Sequence, residues 1–206
     1  MLSTKDSHGE DFKLLGVLFD YQLSMAGALH ALVGKARWKL GALLKSSAYH
    51  YDTDLVLLYK SKLLSYLEYR TPAVYHATDT LLEPLNELQN KLLRTVGCSE
   101  VEALMLWNLA PLATRRDVAM LGVVHRAVLK QGPEHFQQFF AVREEQSTHW
   151  TRAAARRERH DKQLKRLPGA YCPELRRRSA LGLIQVYNLL PAEAVAESFV
   201  KEFRAS

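Results

Sequence analysis

Between Thr53 and Tyr69 the chain reads Thr-Asp-Leu-Val-Leu-Leu-Tyr-Lys-Ser-Lys-Leu-Leu-Ser-Tyr-Leu-Glu-Tyr. Leu55, Leu58, Tyr59, Leu63, Tyr66 and Leu67 recur at helical spacing, and Val56, Leu57 and Leu64 carry the apolar surface past one face. That pattern predicts a helix buried on most sides. Its polar strip is Ser61, Ser65 and Glu68. Asp52 or Thr53 supplies the N-terminal cap, and Pro72 biases Thr71 away from the helical region, so the helix is expected to end or kink there. The remaining elements are expected to pack around it.

The same reading extends along the chain. Phe12 to Phe19 is short, apolar on both faces and interrupted by Gly16, which predicts a buried strand. Asp20-Tyr21-Gln22 turns the chain, and Ser24 caps a long helix to about Leu44. Leu29, Leu32, Val33, Ala36, Leu40, Leu43 and Leu44 form its stripe, with Lys35, Arg37 and Lys39 off the stripe's centre. Asp79 or Thr80 opens a third helix carrying Leu81, Leu85, Leu88 and Leu92, with Pro84 in its first turn and Gly97 just past its end. Ser99 and Glu102 form a capping-box pair that starts a short helix to Trp107. Thr114 to Gln131 predicts a fifth helix, stopped by Gly132-Pro133. Phe136, Phe139 and Phe140 are expected to form a lid over the core.

From Arg143 to Arg166 apolar periodicity is lost, which reads as a solvated helix or a disordered linker. Arg176 to Pro191 is apolar again, followed by a short helix carrying Val195, Phe199, Val200 and Phe203. The fold class is therefore mostly α: a helical bundle with one short N-terminal β-strand or hairpin and a basic, partly disordered C-terminal extension.

Charge sharpens this picture. The 206-residue chain has a formal net charge of +6, and Ala141 to Arg178 holds 11 Lys/Arg against 5 Asp/Glu, leaving 17 of each sign elsewhere. A neutral body with one basic segment points to an anionic partner met locally, nucleic acid first and a membrane surface second. Cys98 and Cys172 have no metal-ligand spacing and read as free thiols. The first eleven residues are polar, and no apolar run reaches the ~20 residues of a membrane span. The chain is expected to be soluble and intracellular, nuclear or cytoplasmic, and not secreted.

Catalytic motifs are missing: there is no phosphate-binding glycine loop, nucleophile elbow or zinc-protease pair. His30, His50, His76, His125, His135, His149 and His160 are scattered over different elements, and His125 reads as a residue flanking the core. Asp52 and Asp54 sit at a helix start, where capping explains them. Composition and spacing alone indicate a binding or structural module.

Three stretches in order resemble the region after the polymerase active site in reverse transcriptases of non-LTR (LINE-type) retrotransposons. They are Phe12-Lys-Leu-Leu-Gly-Val-Leu-Phe-Asp20 with Leu23, then Leu58-Tyr-Lys-Ser-Lys-Leu-Leu-Ser-Tyr-Leu-Glu-Tyr-Arg-Thr-Pro-Ala-Val74, then Leu85-Asn-Glu-Leu-Gln-Asn-Lys-Leu-Leu-Arg94. Leu109 to Asp117, and Arg178 to Val186 leading into Tyr187-Asn188-Leu-Leu-Pro191, are similar to that family's downstream section. The resemblance implies that Leu15, Gly16 and Val17 lie on the primer-grip strand, that Tyr59, Lys60, Glu68, Tyr69 and Pro72 lie on a thumb helix, and that Gln89 and Arg94 lie on the next. Asp117 would favour the start of the fifth helix, leaving Arg115 and Arg116 for phosphate.

The departures bear on activity. The family's catalytic aspartates lie upstream of the Leu-Gly-Val strand, where only Met1 to Asp11 stand here, and Tyr187 occupies the place of the family's usual Trp. The expected organisation is a palm-edge and primer-grip remnant over 1–23, a thumb-like helical domain over 24–140, a basic linker over 141–174 and a small apolar module over 175–206. The expected function is that of a non-catalytic C-terminal fragment of such a reverse transcriptase, whose intact form binds primer-template. No cofactor is implied, since Mg²⁺ would be held only by an intact polymerase with its palm. RNA or DNA would be met through phosphates by Gly16, Lys60, Arg94, Arg115, Arg116, Arg152, Arg156, Arg157 and Arg159, and the 12–19 segment is a candidate for self-association. The alternative is a stand-alone helical interaction or scaffold protein without nucleic-acid binding.

Overall fold

The computed structural model describes residues 11–143, 160–165 and 179–196, and the chain divides into two compact units, Met1–Arg115 and Arg116–Ser206. Among the described residues it is mostly helical with one antiparallel two-stranded hairpin near the N-terminus, as the patterning predicts.

Of the strand or hairpin expected at the N-terminus the chain forms the hairpin, and the reading of Phe12 to Phe19 as one buried strand is corrected. Strands β1 (Phe12–Leu14) and β2 (Val17–Phe19) pair antiparallel with Leu14 opposite Val17. The two-residue turn holds Leu15 and Gly16 at φ 49° and 79°. Two consecutive left-handed residues match the right-handed twist of a tight hairpin, and glycine supplies the second without strain. Only Val17 is buried; Phe12 and Leu14 are half exposed, and Phe12 stacks on Phe19 with ring centroids 5.1 Å apart.

The turn after β2 is tied by Asp20. Its carboxylate accepts from the Ser24 hydroxyl and amide and from the Met25 amide, bonds that hold its pKa below the ordinary carboxylate value. Helix α1 (Ala26–Lys45) starts from Met25, left-handed at φ 61°, with Ser24 Oγ accepting from the Ala26 amide at 3.3 Å. Asp20 therefore shares the capping expected of Ser24. The predicted stripe is realised: Leu29, Leu32, Val33, Ala36 and Leu40 are buried, with Leu43 and Leu44 partly so. Helix α1 touches β2, the following helix and α5 (Asp79–Thr95), which makes it the hub of this unit in place of the Thr53–Tyr69 stretch.

That stretch is helical throughout but not regular. Helix α2 (Asp52–Tyr59) runs into a π-turn (Lys60–Leu64) and then α3 (Ser65–Glu68). A π-turn underwinds the chain and shifts the buried face. Leu63 and Leu64 both enter the core with Leu55, Val56, Tyr59 and Leu67, whereas Leu58 and Tyr66 are only half buried and Leu57 is exposed. Ser61 and Ser65 face solvent as expected. The helix ends at Glu68, and Thr71 and Pro72 then open a separate short turn, α4 (Thr71–Val74), so Thr71 is helical despite the proline after it.

Helix α5 buries Leu82, Leu85, Leu88, Gln89, Leu92 and Leu93, leaving Leu81 half buried. Pro84 lies inside the helix, beyond the first turn where it was expected. Gly97 ends the helix at φ 65°, and the Cys98 amide reaches back to the Leu93 carbonyl at 3.0 Å, the closure that a left-handed glycine permits. The capping box of α6 (Glu100–Trp107) is present: Ser99 Oγ accepts from the Glu102 amide at 3.2 Å, and Glu102 accepts from the Ser99 amide at 2.8 Å.

The boundary between the units falls in the first turns of α7 (Leu112–Val128). In the second unit α7 stops earlier than predicted. The left-handed residue is Lys130, at φ 57°, and the Gln131 amide donates to the Arg126 carbonyl at 3.0 Å, so the chain has already turned before Gly132. Helix α8 (Glu134–Gln137) follows, and of the expected phenylalanine lid only Phe140 is buried, with Phe139 47% exposed.

The end of the described chain packs through α9 (Ile184–Tyr187) and α10 (Ala192–Ala196). His125 is fully buried, deeper than a flanking place, with its Nδ1 2.9 Å from the Tyr187 hydroxyl. His160 Nε2 lies 3.0 Å from the Tyr187 carbonyl, which can only accept, so that nitrogen carries the proton. Burial raises the Tyr187 phenol well above its ordinary pKa, with Asp161 adding to the shift. Asn188 pairs with the main chain of Leu164 through both ends of its carboxamide, at 2.8 and 3.0 Å. Val195 is buried; Phe199, Val200 and Phe203 lie outside the described residues.

Candidate nucleic-acid interface

Three elements of the first unit bring basic side chains to one place. In β1, Lys13 lies opposite Leu18 and, by strand alternation, on the ribbon face away from Phe12, Leu14, Val17 and Phe19. On α1, Gly27, Ala28, Ala31 and Lys35 follow one another along one side of the cylinder. Helix α3 brings Tyr66 and the turn after it brings Arg70. These residues, with the buried side chains of Val17, Leu32 and Val74, line a cleft of about 290 Å³ that carries Lys13, Lys35 and Arg70.

Tyr66 organises the cations. The Arg70 guanidinium carbon stands 4.2 Å from its ring centroid and the Lys39 ammonium 4.8 Å, while Arg70 Nη1 donates to the Tyr66 carbonyl at 3.2 Å. Cations over an aromatic face hold position without a carboxylate. Among the described residues no Asp or Glu lines the cleft, and no carboxylate lies within ion-pair distance of Lys13, Lys35, Lys39 or Arg70. Positive potential in such a concavity is uncompensated and focused by its low-dielectric walls.

Of the residues expected at a nucleic-acid surface, Gly16 lines this cleft. The others in the described chain lie elsewhere. The Lys60 ammonium donates to the Trp107 carbonyl, at the electronegative C-terminal end of α6. Arg94 is exposed and bonded to Glu87 at 3.0 Å, and Arg115 Nε is 2.5 Å from Glu68 Oε1 in a half-buried pair. Arg116 is also engaged. Arg152, Arg156, Arg157 and Arg159 lie outside the described residues.

Sequence reasoning missed Lys13, Lys35, Lys39, Tyr66 and Arg70 as a group. One signal was available: α1 carries Lys35, Arg37, Lys39 and Lys45 without a single acidic residue. In the core, Tyr59 is buried, its hydroxyl 3.5 Å from Gln89 Oε1, and burial raises the pKa of the phenol far above its usual value. Gln89 in turn donates to the Ala110 carbonyl at 3.1 Å. These contacts brace the helices and hold no reactive group.

Among the described residues no cluster of His, Cys, Asp or Glu could hold a metal ion, and no helix is long and apolar enough to cross a membrane. No protein family, curated protein or solved structure matches the chain.

Proposed function

We propose that this chain binds nucleic acid through its phosphates, in the manner of the thumb and connection region of a LINE-type reverse transcriptase that its sequence resembles. The observation that carries this reading is the convergence of Lys13, Gly16, Lys35, Tyr66 and Arg70 on one acid-free cleft, at the hairpin that the resemblance assigns to primer grip. Phosphate contacts fix register without reading sequence, so binding is sequence-tolerant and strongly dependent on salt. The chain binds primer-template and does not extend it; nucleotide incorporation by the purified chain would refute that part.

The test is a salt titration of binding to a labelled RNA·DNA hybrid. Three phosphates held by Lys13, Lys35 and Arg70 set a slope of about −2.7 for log K against log salt, at about −0.9 per phosphate on duplex. The Lys13→Ala/Arg70→Ala pair should flatten it by about 1.8 while leaving helicity intact. Absence of binding at about 50 mM salt, where phosphate contacts are strong, would overturn the reading in favour of a scaffold protein.

The hairpin supplies a second contact surface. Phe12, Leu14, Leu15 and Leu18 are between 43% and 77% exposed, and among the described residues the sheet has two strands, so we also infer self-association of two copies through residues 12–19.

A further inference from the structure

Trp38 stands on the outward side of α1, 75% exposed, and its indole N–H has no partner among the described residues. Its neighbours on the helix surface, three and four residues away, are Gly34, Lys35, Gly41 and Ala42. Three of these four are glycine or alanine, so on this helix Lys35 is the one long side chain beside the ring. Glycine inside a helix costs about 0.5–1 kcal/mol relative to alanine, and folding does not require it here. A Cβ at Gly34 or Gly41 would meet nothing within 4 Å. The space above Gly34 and Gly41 is kept open at the helix's expense.

The charge of α1 identifies what could fill it. Lys35, Arg37, Lys39 and Lys45 are basic, His30 is titratable, and the helix has no Asp or Glu. A membrane surface would need a broad apolar face, and the outward ridge of Gly34, Gly41 and Ala42 offers Trp38 as its one large apolar side chain. A flat aromatic ring among cations suits a nucleotide, whose base presents a π-face and whose phosphate presents an anion.

We propose that the outward face of α1 is a single-strand nucleic-acid subsite, in which an unpaired base stacks on Trp38 over Gly34 and Gly41 while Lys35, Arg37 and Lys45 meet the flanking phosphates. The base is unpaired because the bases of a duplex already stack on each other and cannot offer a free face. This subsite rests on the nucleic-acid reading above; it shares Lys35 with the cleft, but Trp38, Gly34, Arg37, Gly41 and Lys45 lie outside the cleft lining, and it makes a separate prediction about strandedness.

The full chain is titrated with a fluorescent oligo-dT strand and, separately, with a blunt duplex of equal length. Trp38→Ala should weaken single-strand binding roughly 5- to 100-fold, the range for loss of one stacked base, and leave duplex binding unchanged. Trp38→Phe should restore most of it. Gly34→Leu fills the space over Gly34 while raising helix propensity, so it should weaken single-strand binding and raise the melting temperature together, which a merely structural role would not do. Lys13→Ala/Arg70→Ala should weaken both ligands. If the wild type binds and Trp38→Ala leaves single-strand affinity unchanged, the stacking subsite is overturned while the cleft reading stands. If the wild type binds neither ligand, both fall. Trp38-dependent binding to phosphatidylglycerol vesicles without binding to oligo-dT would overturn it in favour of a membrane surface.

Discussion

Asn188 is the most exacting test of the second unit's architecture. Its Oδ1 accepts from the Leu164 amide at 2.8 Å and its Nδ2 donates to the Leu164 carbonyl at 3.0 Å, so one side chain satisfies both main-chain groups of a residue only 1% exposed. Asn188→Ala orphans both. Each buried polar group left unpaired costs about 1–3 kcal/mol. Leu164 lies in a short extended segment joined by a single bridge to Val142, so it can tilt part-way to water, and about 2–4 kcal/mol for the two groups follows. Asn188→Asp keeps an acceptor for the amide but sets a carboxylate against the carbonyl, so it should resemble alanine. The Gln163 bond to the Asn188 carbonyl, at 2.9 Å, survives both changes and keeps the loss partial. Urea denaturation gives the stability, and amide exchange at Leu164 gives the local opening. A loss within about 0.5 kcal/mol, the range of an ordinary surface substitution, or unchanged protection at Leu164, would refute the argument.

Other substitutions probe the first unit and the helix ends. Leu63, 1% exposed, should cost about 2–5 kcal/mol when replaced by Ala, and Ser65→Ala about 0.5 kcal/mol or less; equal losses in chemical denaturation would show the central helix to be misoriented. Gly41→Ala should raise stability by about 0.5–1 kcal/mol, because the added Cβ meets nothing within 4 Å; a loss in the same experiment would mean that the site is covered. Lys130→Gly relieves a left-handed lysine and should stabilise the end of α7 by about 1 kcal/mol or less, read as a higher melting temperature. Leu14→Lys should reduce self-association measured by light scattering, and a monomeric wild type at tens of micromolar would remove the hairpin as an association surface.

What the chain's own order of residues determined is local. The Ser99–Glu102 box, the left-handed Gly97 closing α5, and the buried stripes of α1 and α5 depend on partners within a few positions, so propensity and period reveal them. The hairpin turn did not announce itself, because Leu15 is an unexpected left-handed residue and the apolar run around it reads equally well as one strand. The π-turn was hidden for a related reason: one underwound turn leaves the composition unchanged while moving Leu64 inward and Tyr66 outward. Charge was the least legible feature. Lys60 and Arg115 looked free in sequence, yet they are engaged by Trp107 and Glu68, each 47 positions away. Lys13, Lys35 and Arg70 are likewise dispersed along the chain and become one site only where the hairpin and the turn after α3 flank α1. Whether a surface cation is neutralised or left to a ligand is decided by which side chains folding brings within a few ångströms, and tertiary packing alone sets that distance.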